Sequence, residues 1–335
     1  MSSQPYLDLQ HLATPARLNA VIGDGRAWTR DSMRPSDWTV SLEPAAQAEL
    51  LRTAAFLRAN PLPTPLLSHE HFDLPACRAA VARLKRVLDG GTGIAVLDRL
   101  DLDAFSRTEA LQLYWILGGF LAPRVAQKWD GSMVYDVKDT GRAFGYGVRA
   151  SWTNVELFFH TDNPFGVVQP DYVSLLCLQP AAKGGISRFC SLYTVHNRLL
   201  ERYPRQLERL YRPVLFDRQA EHAPEDPKVA LAPPLVFDGQ RLRARLSVAL
   251  VRKGYALADR QMDAELVEAL DALDEVMRDE SLWVEFLIER GQMQYLNNHE
   301  TAHFRSEFSD AEAPERKRHL IRLWYRNAGR TFYNG

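Results

Sequence analysis

The stretch Glu156-Leu157-Phe158-Phe159-His160-Thr161-Asp162-Asn163 decides how this chain is read. Its aromatic and aliphatic residues favour the pleated, half-buried backbone of a strand, and the polar residues that follow end the strand in a loop. Side chains two apart on a strand leave one face, so the spacing puts His160 and Asp162 side by side. An imidazole and a carboxylate presented together are two of the three ligands of a 2-His-1-carboxylate triad, which leaves positions open on iron(II). His-x-Asp alone does not make a site. A second histidine and an anchor for an anion must come from elsewhere in the chain.

Both are found downstream. Tyr295-Leu296-Asn297-Asn298-His299-Glu300-Thr301-Ala302-His303-Phe304 reads as a strand that leads into a polar loop, and either His299 or His303 could complete the triad. A ligand so far along the chain must come from a distant strand. Fifteen residues beyond His303 begins Arg318-His319-Leu320-Ile321-Arg322-Leu323-Trp324, where Arg318, Leu320, Arg322 and Trp324 share one strand face. Two arginines in an otherwise apolar strand are costly to bury unless each meets an anion. A guanidinium fork suits a carboxylate, and a dicarboxylate cosubstrate would meet that need.

The rest of the chain supplies the frame. Residues 1–90 read as an N-terminal helical segment packed on a core, with helices over Ala45–Ala59 and Leu74–Leu88. Strand character begins at Gly91–Asp98. Ser106 and Glu109 form a capping box for a helix through Leu117, with Gly118-Gly119 as its stop. Val134–Val137, Tyr172–Leu178 and Arg188–Ser191 read as strands, and residues 141–147 as a loop. Helices follow over Thr194–Arg202 and Pro204–Tyr211. Asp238-Gly239 marks a hairpin between Pro234–Phe237 and Arg241–Val248. Asp263–Asp279 is an amphipathic helix, and Trp283–Ile288, Met293–Leu296 and Arg318–Tyr325 are the last strands. Many short strands without regular βαβ alternation point to a mainly β fold with helices: a double-stranded β-helix, or jelly roll, wrapped by α-helices over residues 91–335.

Composition excludes several classes. Lys and Arg number 41 against 42 Asp and Glu, a net charge of -1 that does not suit a general nucleic-acid or polybasic membrane surface. Cys77, Cys177 and Cys190 are widely spaced and odd in number, which is neither a disulfide framework nor a zinc ribbon. No apolar run is long enough to span a bilayer, and the N-terminus lacks a signal-peptide pattern. These features give a cytoplasmic expectation, a small-molecule partner, no nucleic acid, no membrane, and room for a homo-oligomer.

Four features together resemble the TauD/TfdA family of Fe(II)/2-oxoglutarate-dependent dioxygenases. They are His160-Thr161-Asp162, Gly184-Gly185-Ile186-Ser187, the run Asn297 to His303, and Arg318-xxx-Arg322, in family order over roughly residues 90–327. The resemblance implies that His160, Asp162 and His303 bind iron, with His299 where the family often has arginine. It implies that Arg318 and Ser187 take the distal carboxylate of 2-oxoglutarate. Arg322, Asn163 and His299 are candidates for substrate or cosubstrate contact, and Gln127, Tyr135 and Arg149 for the pocket wall. The implied reaction uses O2 and 2-oxoglutarate, releases succinate and CO2, and hydroxylates an unactivated C–H of a small polar metabolite, amino-acid-like or otherwise anionic or zwitterionic. Related halogenases lack the carboxylate that Asp162 supplies. Ile186 and His299 depart from the family pattern, so the resemblance does not carry taurine-like sulfonate chemistry over to this chain. Alternatives are desaturation with the same cofactors, a zinc hydrolase, and a jelly-roll protein that binds a metal or anion without turnover. Substrate choice is expected in loops 139–154, 163–170 and 218–232.

Overall fold

In this computed structural model the residues described are 5–10, 17–143, 145 and 147–333, so Phe144 and Tyr146 of the expected 141–147 loop lie outside them. Two sheets dominate. The larger has the strand order Thr39–Ser41, Ile94–Asp98, Met293–Asn297, Tyr172–Gln179, His319–Tyr325 and Arg124–Val125, and Tyr135–Val137 also pairs with His319–Tyr325. The smaller has the order Trp283–Phe286, Ser187–Ser191, Thr301–Arg305 and Leu157–His160, with every pairing antiparallel.

Alternation along the strands divides the larger sheet between two cores. Ile94, Val96, Val173, Leu296 and Trp324 face one apolar cluster, which the smaller sheet and the later helices complete. Ala95, Leu97, Tyr172, Tyr295, Ile321 and Leu323 face the other, beneath the helices Pro44–Ala59, Pro75–Gly90 and Arg107–Leu121. A strand buried on both faces reads as a near-continuous apolar run, which is how Tyr172–Gln179 reads in the sequence.

Three expectations about elements are corrected. The helix capped by Ser106 and Glu109 does not stop at Gly118-Gly119; it runs to Leu121. Those glycines are needed for packing. A Cβ at Gly118 would stand 2.5 Å from the Tyr325 hydroxyl, and one at Gly119 2.5 Å from His69 Nδ1. The second arm of the hairpin ends at Ala244. Ser247 then caps a helix, Val248–Leu257, where its side chain accepts from the Leu250 N–H. Its start, Val-Ala-Leu-Val, has strand-like composition, and the cap overrides it. The polar run after Asn298 is a tight turn followed at once by the strand Thr301–Arg305, so His303 stands on a strand and not in a loop.

Candidate metal and cosubstrate site

The strand Leu157–His160 delivers the first half of the site. Its register against Thr301–Arg305 sets His160 directly opposite His303. Directly paired residues point to the same side, so both imidazoles enter the space between the two sheets, with ring centroids 4.1 Å apart. Asp162 follows the strand end. Its Oδ1 lies 3.7 Å from Nε2 of His160 and 3.7 Å from Nε2 of His303. The three donor atoms lie within 4.8 Å of one another, the one such group of three or more among the described residues.

The surroundings fix this arrangement. Asn298, fully buried, clamps the Asp162 backbone: its Oδ1 accepts from the Asp162 N–H (2.7 Å) and its Nδ2 donates to the Asp162 carbonyl (2.9 Å). Thr161 exchanges hydrogen bonds with Leu246. On the carboxylate, Oδ2 accepts from Arg322 Nη1 (3.0 Å) and Trp324 Nε1 (2.8 Å), leaving Oδ1 facing the histidines. Gln127 in turn accepts from Arg322 Nε (2.8 Å) and donates to the Arg322 carbonyl (2.7 Å).

Burial acts against the Asp162 charge, but Arg322, the two imidazoles and the Trp324 N–H together hold its carboxyl down to about 2. Burial pushes His160 below the usual imidazole range, and burial with the neighbouring His160 pushes His303 down to about 3. His160 Nδ1 donates to the Phe158 carbonyl (2.9 Å), so the lone pair lies on Nε2. Two neutral imidazole nitrogens and one ionised carboxylate oxygen, facing one another in a buried place, are the donor set that suits a divalent transition metal.

A narrow cavity of about 60 Å³ adjoins these residues between the sheets. Ser187, Arg305, Arg318 and Arg322 contribute to its polar wall, with Val173, Leu175 and Leu296 apolar. Gly184 and Gly185, at φ +75° and +70°, turn the chain into Ser187; a Cβ on Gly184 would lie 2.2 Å from the Glu307 carbonyl oxygen. Arg318 is 4% exposed, and its Nη1 has no partner. Burial pushes its guanidinium down to about 10, so it remains a cation at neutral pH. Arg322 stands where this cavity meets a larger one of about 470 Å³. Asn163, at φ 55°, lines the larger cavity with Phe158, Phe165, Arg149 and Trp324.

His299 lies elsewhere. Its Nε2 is 2.9 Å from Asp171 Oδ1, and it lines a separate polar cavity with Lys85, Asp89 and Arg241. Among the pocket candidates, Gln127 and Tyr135 brace Arg322 and do not line either cavity. Sequence reasoning missed Arg305, Asn298 and the wall that the helix Val248–Leu257 supplies through Val248, Leu250 and Arg252. The spacing His303-x-Arg305, once set on a strand, would have pointed Arg305 inward.

The sequence pattern of the "Taurine catabolism dioxygenase TauD, TfdA family" matches residues 58–324. The chain belongs to this family. Among curated relatives of this TauD/TfdA member, FR-33289 synthase of Streptomyces rubellomurinus is 29% identical, over 89% of this chain and 88% of the relative. The taurine hydroxylase-like protein SAT17 of Stachybotrys chartarum is 28% identical, over 92% and 80%. Among solved structures, asparagine oxygenase with Fe(II), 2S,3S-3-hydroxyasparagine and succinate superposes with a TM-score of 0.66 at 20% identity, covering 87% of this chain and 94% of that one. The non-heme iron oxygenase OrfP with Fe and alpha-ketoglutaric acid gives 0.64 at 19%, with the same coverage. These two likenesses establish a common fold. No helix among the described residues is long and apolar enough to cross a membrane.

Proposed function

We propose that this TauD/TfdA member is an Fe(II)- and 2-oxoglutarate-dependent dioxygenase that hydroxylates an unactivated C–H of a small amino-acid-like metabolite. The two sheets are read as the walls of a double-stranded β-helix, with the site in its mouth. One observation carries the reading. His160, Asp162 and His303 turn three unprotonated donor atoms toward one point, beside a cavity walled by buried guanidiniums.

His160, Asp162 and His303 would hold the iron. When bound, iron(II) with 2-oxoglutarate and O2 supplies the oxidising power for C–H hydroxylation, with succinate and CO2 as co-products. The chain's own residues bind, orient and exclude water. Arg318 and Ser187 would hold the distal carboxylate, Arg318 by charge and Ser187 as a hydroxyl donor. Arg322 and Trp324 bind the far oxygen of Asp162, so the near oxygen keeps one direction. The apolar residues Val173, Leu175 and Leu296 limit water around the cosubstrate.

Substrate would enter the larger cavity. Its wall sets Phe158, Phe159, Phe165 and Val248 beside charges of both signs, among them Arg278, Arg322, Glu156 and Asp274. A few charged groups over an apolar wall suit a small zwitterion. The neighbouring structures that carry hydroxylated asparagine and arginine support the same class. With Asp162 intact, hydroxylation is favoured over halogenation.

The test is succinate release from 2-oxoglutarate with Fe(II), ascorbate and O2 across a panel of amino acids and their derivatives. The wild-type chain should form succinate, stimulated by at least one panel member, and Asp162→Ala should lose it by more than a hundredfold. Absence of turnover together with absence of iron binding would leave the reading without support.

A further inference from the structure

We infer that Arg305 is a second anchor for the distal carboxylate of the cosubstrate, and that it links filling of that subsite to the loop over the substrate cavity. This rests on the function proposed above. Arg305 pairs in register with Ser187 and stands two residues from His303, so all three side chains face the space between the sheets. Its guanidinium carbon lies 5.0 Å from the centre of the Phe308 ring, and that of Arg318 lies 4.9 Å from the same centre. Both side chains line the 60 Å³ cavity, and both residues are at least nine-tenths buried.

The hydrogen bonds of Arg305 are unevenly used. Its Nη2 donates to the carbonyls of Ala150 (3.5 Å), Thr153 (3.0 Å) and Val155, while Nε and Nη1 are buried with no acceptor. Arg326, likewise buried and held by backbone carbonyls, offers a contrast, because its guanidinium is satisfied throughout. There Nε, Nη1 and Nη2 all reach backbone carbonyls. Neither Arg305 nor Arg318 meets a carboxylate at ion-pair distance among the described residues. Two buried like charges on one ring, with three unsatisfied nitrogens between them, call for an anion. A carboxylate offers one oxygen to each fork.

The backbone that Arg305 holds is part of the substrate wall, since Ala150 and Ser151 line the larger cavity. An anion between the two guanidiniums removes their repulsion and fixes Arg305, and through its Nη2 the segment 150–155. Cosubstrate bound first therefore orders the wall that substrate meets.

Binding measurements on the full chain loaded with Mn(II) test this, with 2-oxoglutarate and oxalate as probes. Oxalate can chelate a metal but has no distal carboxylate. Arg305→Gln should weaken 2-oxoglutarate binding tenfold or more in calorimetry, leave oxalate and Mn(II) binding unchanged, and Arg305→Lys should recover part of the loss. In the wild-type chain, saturating 2-oxoglutarate should slow amide exchange in residues 149–156 beyond what oxalate does, a readout that needs no variant to fold. Wild-type affinity in Arg305→Gln, equal losses for both probes, or equal protection by both would overturn the inference alone. A wild-type chain that binds Mn(II) but not 2-oxoglutarate would overturn the proposed function and this inference with it.

Discussion

Asn298 donates nothing to the metal donor set, yet it determines where the Asp162 carboxylate stands. Both polar groups of its amide are used on the Asp162 backbone, and the residue is fully buried. Removing such a support lowers metal affinity by about 10–100-fold in comparable sites. Asn298→Ala should therefore bind Mn(II) more weakly by about that factor in an EPR titration, and unchanged affinity would remove its positioning role. Asp171 makes a separate case. Burial opposes its charge, but the His299 imidazole and the Asn327 N–H hold its carboxyl below the usual range. A depressed carboxyl contributes stability above its unfolded value and loses it as pH falls through the folded one. Asp171→Asn should destabilise the fold by about 1 kcal/mol at pH 7 in chemical denaturation. The gap should persist to about pH 5 and close below about pH 4. At this scale the pair His160 and Asp162 was legible from its spacing at the end of an apolar strand and Arg318 from its place beside another, whereas His303 was separated from His299 only by the family resemblance. Arg305 was not legible, because the chain is rich in arginine and only the strand Thr301–Arg305 shows which way it points.

The helix Arg107–Leu121 shows where element-level reading succeeds and fails. Its start was legible because Ser106 and Glu109 satisfy each other's backbone N–H groups locally. Its end was not, because Gly118 and Gly119 are there for contacts with residues 50 or more positions away in sequence, or with Arg124 just beyond the helix. Gly118→Ala gains helix propensity of about 1 kcal/mol. The new Cβ, however, would lie 2.5 Å from the Tyr325 hydroxyl and 2.8 Å from its ring, inside a packed core. Overpacking costs about 1–3 kcal/mol, and here the neighbour is a buried aromatic with little room to move. The substitution should lower stability by about 1–2 kcal/mol in urea unfolding; a stabilised variant would show that propensity dominates. The helix Val248–Leu257 was hidden for a similar reason. Its β-rich start overrides nothing once Ser247 caps it and its apolar face meets the strand Val214–Asp217, where Gly254 lets the backbones approach.

Across the whole molecule, the site exists only where the two sheets meet. His160, Asp162 and His303 come from the smaller sheet and its edge, while Arg322 and Trp324 come from the larger. No local stretch contains the site, so its assembly could be read from the sequence only as an ordered set of motifs. The cavity wall was less legible. Loops 139–154, 163–170 and 218–232 each contribute, through Arg149, Asn163 and Gln219, but the helices Val248–Leu257 and Ala264–Met277 add as much. A helix wall depends on tertiary placement, and no local pattern carries that. Anaerobic absorption spectroscopy tests the central claim most directly. The wild-type chain with one equivalent of Fe(II) should develop a weak visible charge-transfer band when 2-oxoglutarate is added, and Asp162→Ala should not. A wild-type spectrum that 2-oxoglutarate leaves unchanged, or a band that survives in Asp162→Ala, would contradict the account.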